Sequence, residues 1–470
     1  MKKFIIFIII LFIAKIYILK ILNIDLFYDE AYYYYWSKHL AFGYYSKPPM
    51  IAYVIYIFTH IFGNGELAIR LASNLFYSLT AIIIYLIAKE TFKKEKIAFL
   101  SGLSYITLPG ISYLSLIIST DAMLSFFWAT TLYFYIKAIN NNYFKYWLLA
   151  SIFAGLGLLS KPTMIVFLFG VIWHIICCKK NLVKNKYLYI ALFIAFIIYL
   201  PNLVWNYNHN FIMFHHITHI SHIENKNYFH LNHLLEFLGG QFLIFGPIFF
   251  TIYILKAISL YKFNKILSIF SYIFLIIISF QAFLERAQIN WALPTYIAAS
   301  ILVTTYLIVK NKNKLLYLSI FINIFLSLFI YSFRPLCNYF NIKLTKKIDF
   351  YHRVLGWKES AKKIEKIIKT YPYTPLLFND RATMAEMMYY LNKDGVIFNP
   401  SKKIINQFAI NTNLNNYKNR DLILIIKNTN INYIEKYFNE CKLIRKVNIQ
   451  VDKDFTRSFF IFYCKKFKGY

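Results

Sequence analysis

Residues 1–53 read MKKFIIFIIILFIAKIYILKILN, then ID, then LFYDEAYYYYWSKHLAFGYYSKPPMIAY. The first part is a basic start followed by an apolar run of about 20 residues, the length that crosses bilayer hydrocarbon. No small-residue cleavage site follows it, and Lys15 and Lys20 lie within or at the end of the run, so it reads as an uncleaved first span rather than a leader. Its lysines then snorkel or face other helices. Directly after it stand two adjacent carboxylates, Asp29 and Glu30, a wall of aromatics and a Lys47-Pro48-Pro49 turn. An apolar span with such a rim beside it decides how the remaining chain is read.

The chain has 470 residues, 59% hydrophobic and 16% charged. A soluble domain of this length exposes far more charge. The class is therefore a polytopic α-helical membrane protein. The formal net charge of +31 raises nucleic acid as a partner, but the basic residues cluster in loops between apolar runs, which argues against it. Cys177, Cys178, Cys337, Cys441 and Cys464 include no set at metal-ligand spacing. Cys441 and Cys464 flank strand-like segments; they pair if that region is extracytoplasmic, or remain two thiols.

Apolar runs fall at roughly 4–22, 67–88, 97–117, 122–139, 146–160, 162–178, 187–205, 236–255, 266–284, 291–309 and 315–333, about eleven spans. Lysine-rich loops at 89–96, 137–145, 179–186, 256–265 and 310–314 share a side with Lys2 and Lys3. Before the tail, the other side holds only Lys38, Lys47, Arg70, Lys161, Lys226 and Arg286. By the positive-inside rule the N-terminus is cytoplasmic and the chain beyond the last span is extracytoplasmic. The stretch MIAYVIYIFTHIF (50–62) is too short to span and reads as an interfacial helix. Residues 25–66 then form a structured first extracytoplasmic loop, and 1–333 a transmembrane catalytic domain.

From residue 334 the long apolar runs stop. Helical patterns at 356–370 and 381–391 alternate with strand patterns at 375–380, 421–428, 441–449 and 457–466. Residues 334–470 are expected to form a small extracytoplasmic α/β domain, basic enough to lie against anionic headgroups.

Acids are scarce before the tail. Glu90 and Glu95 sit in a cytoplasmic loop; Asp25, Asp29, Glu30, Glu66, Asp121, Glu224, Glu236 and Glu285 fall on or near the opposite face. Rim carboxylates of a membrane protein are functional candidates by default. Neighbours on a helix do not face each other, so of Asp29 and Glu30 one acts on substrate while the other caps a helix or holds a cation. The plain alternative makes Asp29 an N-cap. Asp121 opens a later span and is either a second functional acid or, with Thr120, a cap. Lys47, held at the rim by two prolines, suits a phosphate or snorkels to headgroups. Tyr32, Tyr33, Trp36, Arg70 and His209 are candidate substrate-binding residues, although the aromatics equally suit an interfacial belt. His209, His215, His216, His219, His222, His230 and His233 crowd one loop, but their irregular spacing makes a metal site the poorer reading.

The motifs DEAYYYYWSKHLAFGYYSKPPMIAYVI, GELAIRLASNLF, STDAMLSFFW, GLGLLSKPTM, PNLVWNYNHNF, LLEFLGGQ and INWALPTYIAA resemble bacterial family-39-type glycosyltransferases. These are relatives of dolichyl-phosphate-mannose protein mannosyltransferases and of the aminoarabinose and galacturonic acid transferases of lipid A. RVLGWKESAKKI, FNDRATMAEMMYYL and NQF extend the similarity into the tail, so it runs nearly end to end. The resemblance implies a GT-C membrane fold in a bacterial inner membrane, and a sugar donor carried on a polyprenyl phosphate. It implies transfer on the extracytoplasmic side; lipid A or lipopolysaccharide core, another polyprenyl-linked glycan and protein Ser/Thr are all open as acceptors, with an envelope glycolipid favoured because the similar proteins are bacterial. It makes Asp29 the catalytic carboxylate, Glu30 its motif partner, Asp121 a second acidic position and Lys47 the contact to donor phosphate. Some lipid A transferases carry Glu just before that lysine, where it helps bind a metal. Here Ser46 stands there, so the metal is not carried over from the family; a divalent metal stays open without support from these residues, and the lipid-linked sugar is a substrate rather than a cofactor.

The chemistry suits these residue types. A rim lysine neutralises the leaving phosphate, and a carboxylate takes the proton of the attacking hydroxyl. One base without a nucleophilic carboxylate favours single displacement with inversion. The alternatives are a protein O-mannosyltransferase-like enzyme, a lipid-linked sugar flippase and a non-catalytic scaffold. A flippase needs polar groups at midplane and often internal repeats, whereas here the acids gather at one rim and no repeat is evident.

Overall fold

The structure, a computed structural model, describes residues 1–220 and 229–470. The readings made for His222, Glu224 and Lys226 fall outside the described residues. The chain forms two compact units. One comprises Met1–Lys20, Ala41–Val54 and Arg70–Tyr331; the other comprises Ile21–Leu40, Ile55–Ile69 and Ser332–Tyr470.

The first unit is helical, because a backbone buried in an apolar medium must satisfy its own N–H and C=O groups. Among the described residues, six helices are long and apolar enough to cross a membrane: Lys2–Leu22, Glu66–Phe92, Thr120–Asn141, Lys186–Asn208, Lys265–Leu284 and Asn313–Tyr339. Phe144–Ser160, Pro162–Cys178 and Thr295–Val309 are shorter apolar helices. The core between them is aromatic: Trp128 stands edge-on to Phe167 and Phe274, with centroids 5.1 and 5.0 Å away. Such offset contacts suit the ring quadrupoles. Lys15 is buried, whereas Lys2, Lys3 and Lys20 are exposed, so the first helix turns Lys15 inward and the lysines at its two ends outward.

Two stretches expected as continuous helices are interrupted. The 97–117 run divides into Glu95–Ile106 and Pro109–Leu114, since Pro109 lacks an N–H and holds Leu108 extended. The 236–255 run divides into Leu231–Ile244 and Pro247–Leu255 at Gly246, whose φ of 82° is a left-handed conformation glycine tolerates. A Cβ there would also come within 2.8 Å of Asn323 Cγ. The 291–309 run begins as a 3-10 turn, Ile289–Ala292, before the Thr295–Val309 helix.

The second unit holds a five-stranded sheet, β1 (Leu376–Phe378), β2 (Gly395–Ile397), β3 (Leu422–Ile426), β4 (Glu440–Asp452) and β5 (Phe455–Lys465), in the order β2-β1-β3-β5-β4. β1 runs parallel to β2 and β3, and β5 is antiparallel to β3 and β4. β3 is buried along its whole length, as befits a central strand read as LILII. The sequence pattern omitted β2, which is too short to show a period. Helix Trp357–Ile368 begins at Gly356, which has no side chain to cap it. Asp25 supplies the cap, its Oδ2 accepting the N–H of Trp357 at 2.7 Å and of Lys358 at 3.3 Å. Burial pushes the Asp25 carboxyl above its ordinary range, against the pull of those two bonds.

Cys441 and Cys464 are opposite one another on β4 and β5 and form a disulfide. Alkylation of the denatured protein should therefore label Cys177, Cys178 and Cys337 before reduction, and all five cysteines only after it. Cys441→Ser should lower stability by about 2–4 kcal/mol, read as a drop in the melting midpoint of the detergent-solubilised chain.

Candidate active site

Each unit carries a cluster of candidate functional side chains. In the second unit, helix Tyr28–Lys38 starts after Phe27. Glu30 Oε2 accepts the Phe27 N–H at 2.9 Å. Glu30 is thus the residue that caps the helix start, and Asp29 is not its N-cap. Two acids in the first turn also oppose the positive helix end. Asp29 Oδ1 pairs instead with Arg381 Nη2 at 3.1 Å. Burial works against the Arg381 charge, but Asp29 and neighbouring tyrosines raise its pKa overall.

Tyr32 and Trp36 are fully buried and Tyr33 nearly so. The rings of Tyr32 and Tyr33 each lie 4.9 Å from that of Trp36. Tyr32 also contacts the ring of Phe408 at 5.0 Å, and its hydroxyl accepts the Gln407 backbone N–H. Arg381 opens helix Arg381–Leu391, which is N-capped by Asp380 through Thr383 N at 2.9 Å. Glu66 accepts from the Tyr390 hydroxyl at 2.6 Å.

In the first unit, Ser119 rather than Thr120 or Asp121 caps the Thr120–Asn141 helix, accepting the Asp121 N–H at 3.3 Å. This releases the Asp121 carboxylate for other partners. Lys161 Nζ donates to its Oδ1 at 2.6 Å, and Asn290 Nδ2 to its Oδ2 at 2.7 Å. Asp121 and Lys161 are 3% and 7% exposed, so the pair is shielded from water. Lys161 sits between the end of helix Phe144–Ser160 and Pro162, in the extended conformation a residue before proline prefers. Asn290 lies on the Ile289–Ala292 turn.

The Lys47 loop is built by its backbone. Tyr44 N–H donates to the Lys47 carbonyl at 3.1 Å, and Asn202 Nδ2 to the Phe42 carbonyl at 2.7 Å. Gly43 allows this approach, because a Cβ there would lie 2.8 Å from Asn202 Nδ2. Arg70 is buried on the Glu66–Phe92 helix. His209 Nδ1 lies 2.8 Å from the Trp205 carbonyl, and its ring stacks on Trp205 at 4.0 Å. Among the described residues no group of His, Cys, Asp or Glu is arranged to hold a metal. An apolar cavity of about 370 Å³ opens among Tyr135, Trp147, Met164, Phe167, Leu188 and Tyr199.

Structure therefore gathers Asp29, Glu30, Tyr32, Tyr33 and Trp36 on one helix, and ties Asp121 to two residues not singled out from sequence, Lys161 and Asn290. Arg381 was also missed. Each of the three lies in a stretch that carries the family resemblance, SKPTM, INWALP or FNDRATM, which was the available signal.

Six helices long and apolar enough to cross a membrane, followed by a small five-stranded sheet, are the architecture of a polytopic membrane protein. The profile of the family described as dolichyl-phosphate-mannose-protein mannosyltransferase matches residues 46–205. The lipid A galacturonosyltransferase RgtD of Rhizobium johnstonii is 30% identical over 378 residues, which cover 79% of this chain and 78% of that protein. The lipopolysaccharide core galacturonosyltransferase RgtA of the same organism is 26% identical over 200 residues, 41% of this chain and 40% of its own length. Among solved structures, ArnT from Cupriavidus metallidurans superposes in its apo state with a TM-score of 0.69 at 13% identity, over 97% of both chains. Bound to undecaprenyl phosphate, it gives 0.68 at 14% identity with the same coverage. The chain belongs to the family-39-type GT-C glycosyltransferases.

Removing one member of a buried ion pair strands the other and costs about 3–5 kcal/mol. Lys161→Met should accordingly lower the melting midpoint more than the double substitution Asp121→Asn with Lys161→Met, measured side by side in detergent.

Proposed function

We propose that this enzyme moves a sugar from a polyprenyl-phosphate donor to lipid A or another lipopolysaccharide acceptor, with inversion, at the extracytoplasmic face of a bacterial inner membrane. The observation that carries this reading is the 30% identity, over most of both chains, to a lipid A galacturonosyltransferase. The donor class follows from the likeness to a fold solved with undecaprenyl phosphate. The apolar cavity in the helical unit is consistent with a ligand that has a hydrocarbon chain.

In the proposed reaction the acceptor hydroxyl oxygen attacks the anomeric carbon as the bond from that carbon to the phosphate oxygen breaks. Asp29 takes the hydroxyl proton, and polyprenyl phosphate leaves with its negative charge. Lys47 compensates that charge. Glu30 acts by holding the start of the Asp29 helix, and Asp121, fixed by Lys161 and Asn290, serves as the second acidic position. Tyr32, Tyr33, Trp36, Arg70 and His209 are proposed to shape substrate binding.

The proposed topology is about eleven crossings: the six long helices, the three shorter ones, and the interrupted stretches at 95–114 and 231–255. The N-terminus is placed in the cytoplasm and residues 334–470 outside it. The disulfide supports that side for the tail, since such bonds persist in oxidising compartments.

Mass spectrometry of lipid A and core from cells lacking the chain should show loss of one sugar increment, restored by the wild-type protein. The Asp29→Asn variant should insert at wild-type levels and transfer about 10²–10⁴-fold more slowly. Normal transfer by that variant would remove Asp29 from the mechanism. Unchanged lipids, with a sugar missing from Ser/Thr peptides, would move the acceptor to protein.

A further inference from the structure

We infer that Arg381, contributed by the C-terminal part of the chain, is a positioning residue for the catalytic carboxylate. This rests on the assignment of Asp29 as base. Arg381 Nη2 lies 3.1 Å from Asp29 Oδ1. Its guanidinium carbon stands 5.2 Å from the centre of the Tyr28 ring and 5.1 Å from that of Tyr32. Those two tyrosines are one helical turn apart and flank Asp29 in sequence, so they hold the cation over the helix start.

Arg381 is itself held in place. It is the first residue of its helix, and the capping Asp380 is bonded to Thr383 N at 2.9 Å, Thr383 Oγ1 at 2.5 Å and Lys427 Nζ at 3.0 Å. A chain of polar contacts thus leads from the end of β3 to the Asp29 carboxylate. Only a third of the Arg381 side chain is exposed, so the pair is less screened than a surface ion pair. A general base must be ionised and aimed at the proton it removes. An adjacent guanidinium does both: it favours the charged carboxylate and selects one rotamer.

The groups to consider around Asp29 are Tyr28, Glu30, Tyr32 and Tyr33 on its own helix, Arg381 and Glu386 on the helix packed against it, and Arg353 on the turn before Trp357. Of these, Arg381 makes an ion pair with Asp29.

The test uses purified full-length enzyme in lipid discs, assayed with a polyprenyl-phosphate sugar and lipid A. Arg381→Gln should lower kcat about 10–10²-fold with little change in KM. It should also move the acid limb of the kcat/KM profile about one unit or more to higher pH, because the carboxylate loses its cationic partner. Arg381→Lys keeps the charge but not the planar fork; it should restore the acid limb while kcat stays below wild type. A purely structural tie would lower the melting midpoint and leave both the acid limb and kcat unmoved, which would overturn the inference. Should Arg381→Gln fail to fold, Arg381→Lys decides: wild-type kcat in that variant also overturns it. An inactive Asp29→Asn beside a fully active Arg381→Gln sinks this inference alone, whereas an active Asp29→Asn sinks the base assignment beneath it.

Discussion

Three carboxylates near the start of the chain are held by groups near its end. Asp25 caps the Trp357–Ile368 helix, Asp29 pairs with Arg381, and Glu66 takes the hydroxyl of Tyr390 and the ammonium of Lys358. A half-buried carboxylate is costly without partners. Once each of these has one, residues 21–40 and 55–69 become part of the same compact unit as the terminal sheet. The partners lie more than 290 residues away in sequence, a closure whose entropy grows only slowly with length. The consequence for function is that the loop bearing the proposed base is not a free connector. Its shape depends on the tail.

The helical unit repeats the device with different chemistry. Asp121, Lys161 and Asn290 come from three distant segments and meet in a buried cluster. Such a cluster is a poor source of net stability, since desolvation offsets much of the attraction. It does specify how the helix starting at Thr120, the Pro162 turn and the Ile289 turn must meet, because any other register would strand a charge.

Much of the fold was legible. Helices at 2–22, 120–141, 186–208 and 265–284 follow apolar runs whose ends are marked by lysines or capping residues. The Arg381–Leu391 helix follows its periodicity to the residue. The two interrupted helices were written in the chain as Leu108-Pro109 and Gly246-Pro247, but an apolar average over 20 residues outweighs two local breakers. Among the candidate residues, Asp29 and Lys47 were conspicuous because charge is rare in so apolar a chain. Arg381, Lys161 and Asn290 were not, because a cation in a basic tail, a lysine with no acid near it in sequence and one asparagine among many carry no local signal of a partner.

Sequence alone determined the class of protein, the positions of the long helices and the family, since these follow from apolar length, periodicity and short motifs that act locally. It also pointed Asp29 and Glu30 in different directions, because adjacent residues on a helix do not face each other. Only the tertiary structure decided which partner each one meets. Glu30 turns back to its own backbone, while Asp29 reaches a guanidinium 352 residues further along. The physical reason is that a charge partner is chosen by distance in space, and the distance from Asp29 to Arg381 is set by packing between remote segments that no local pattern encodes.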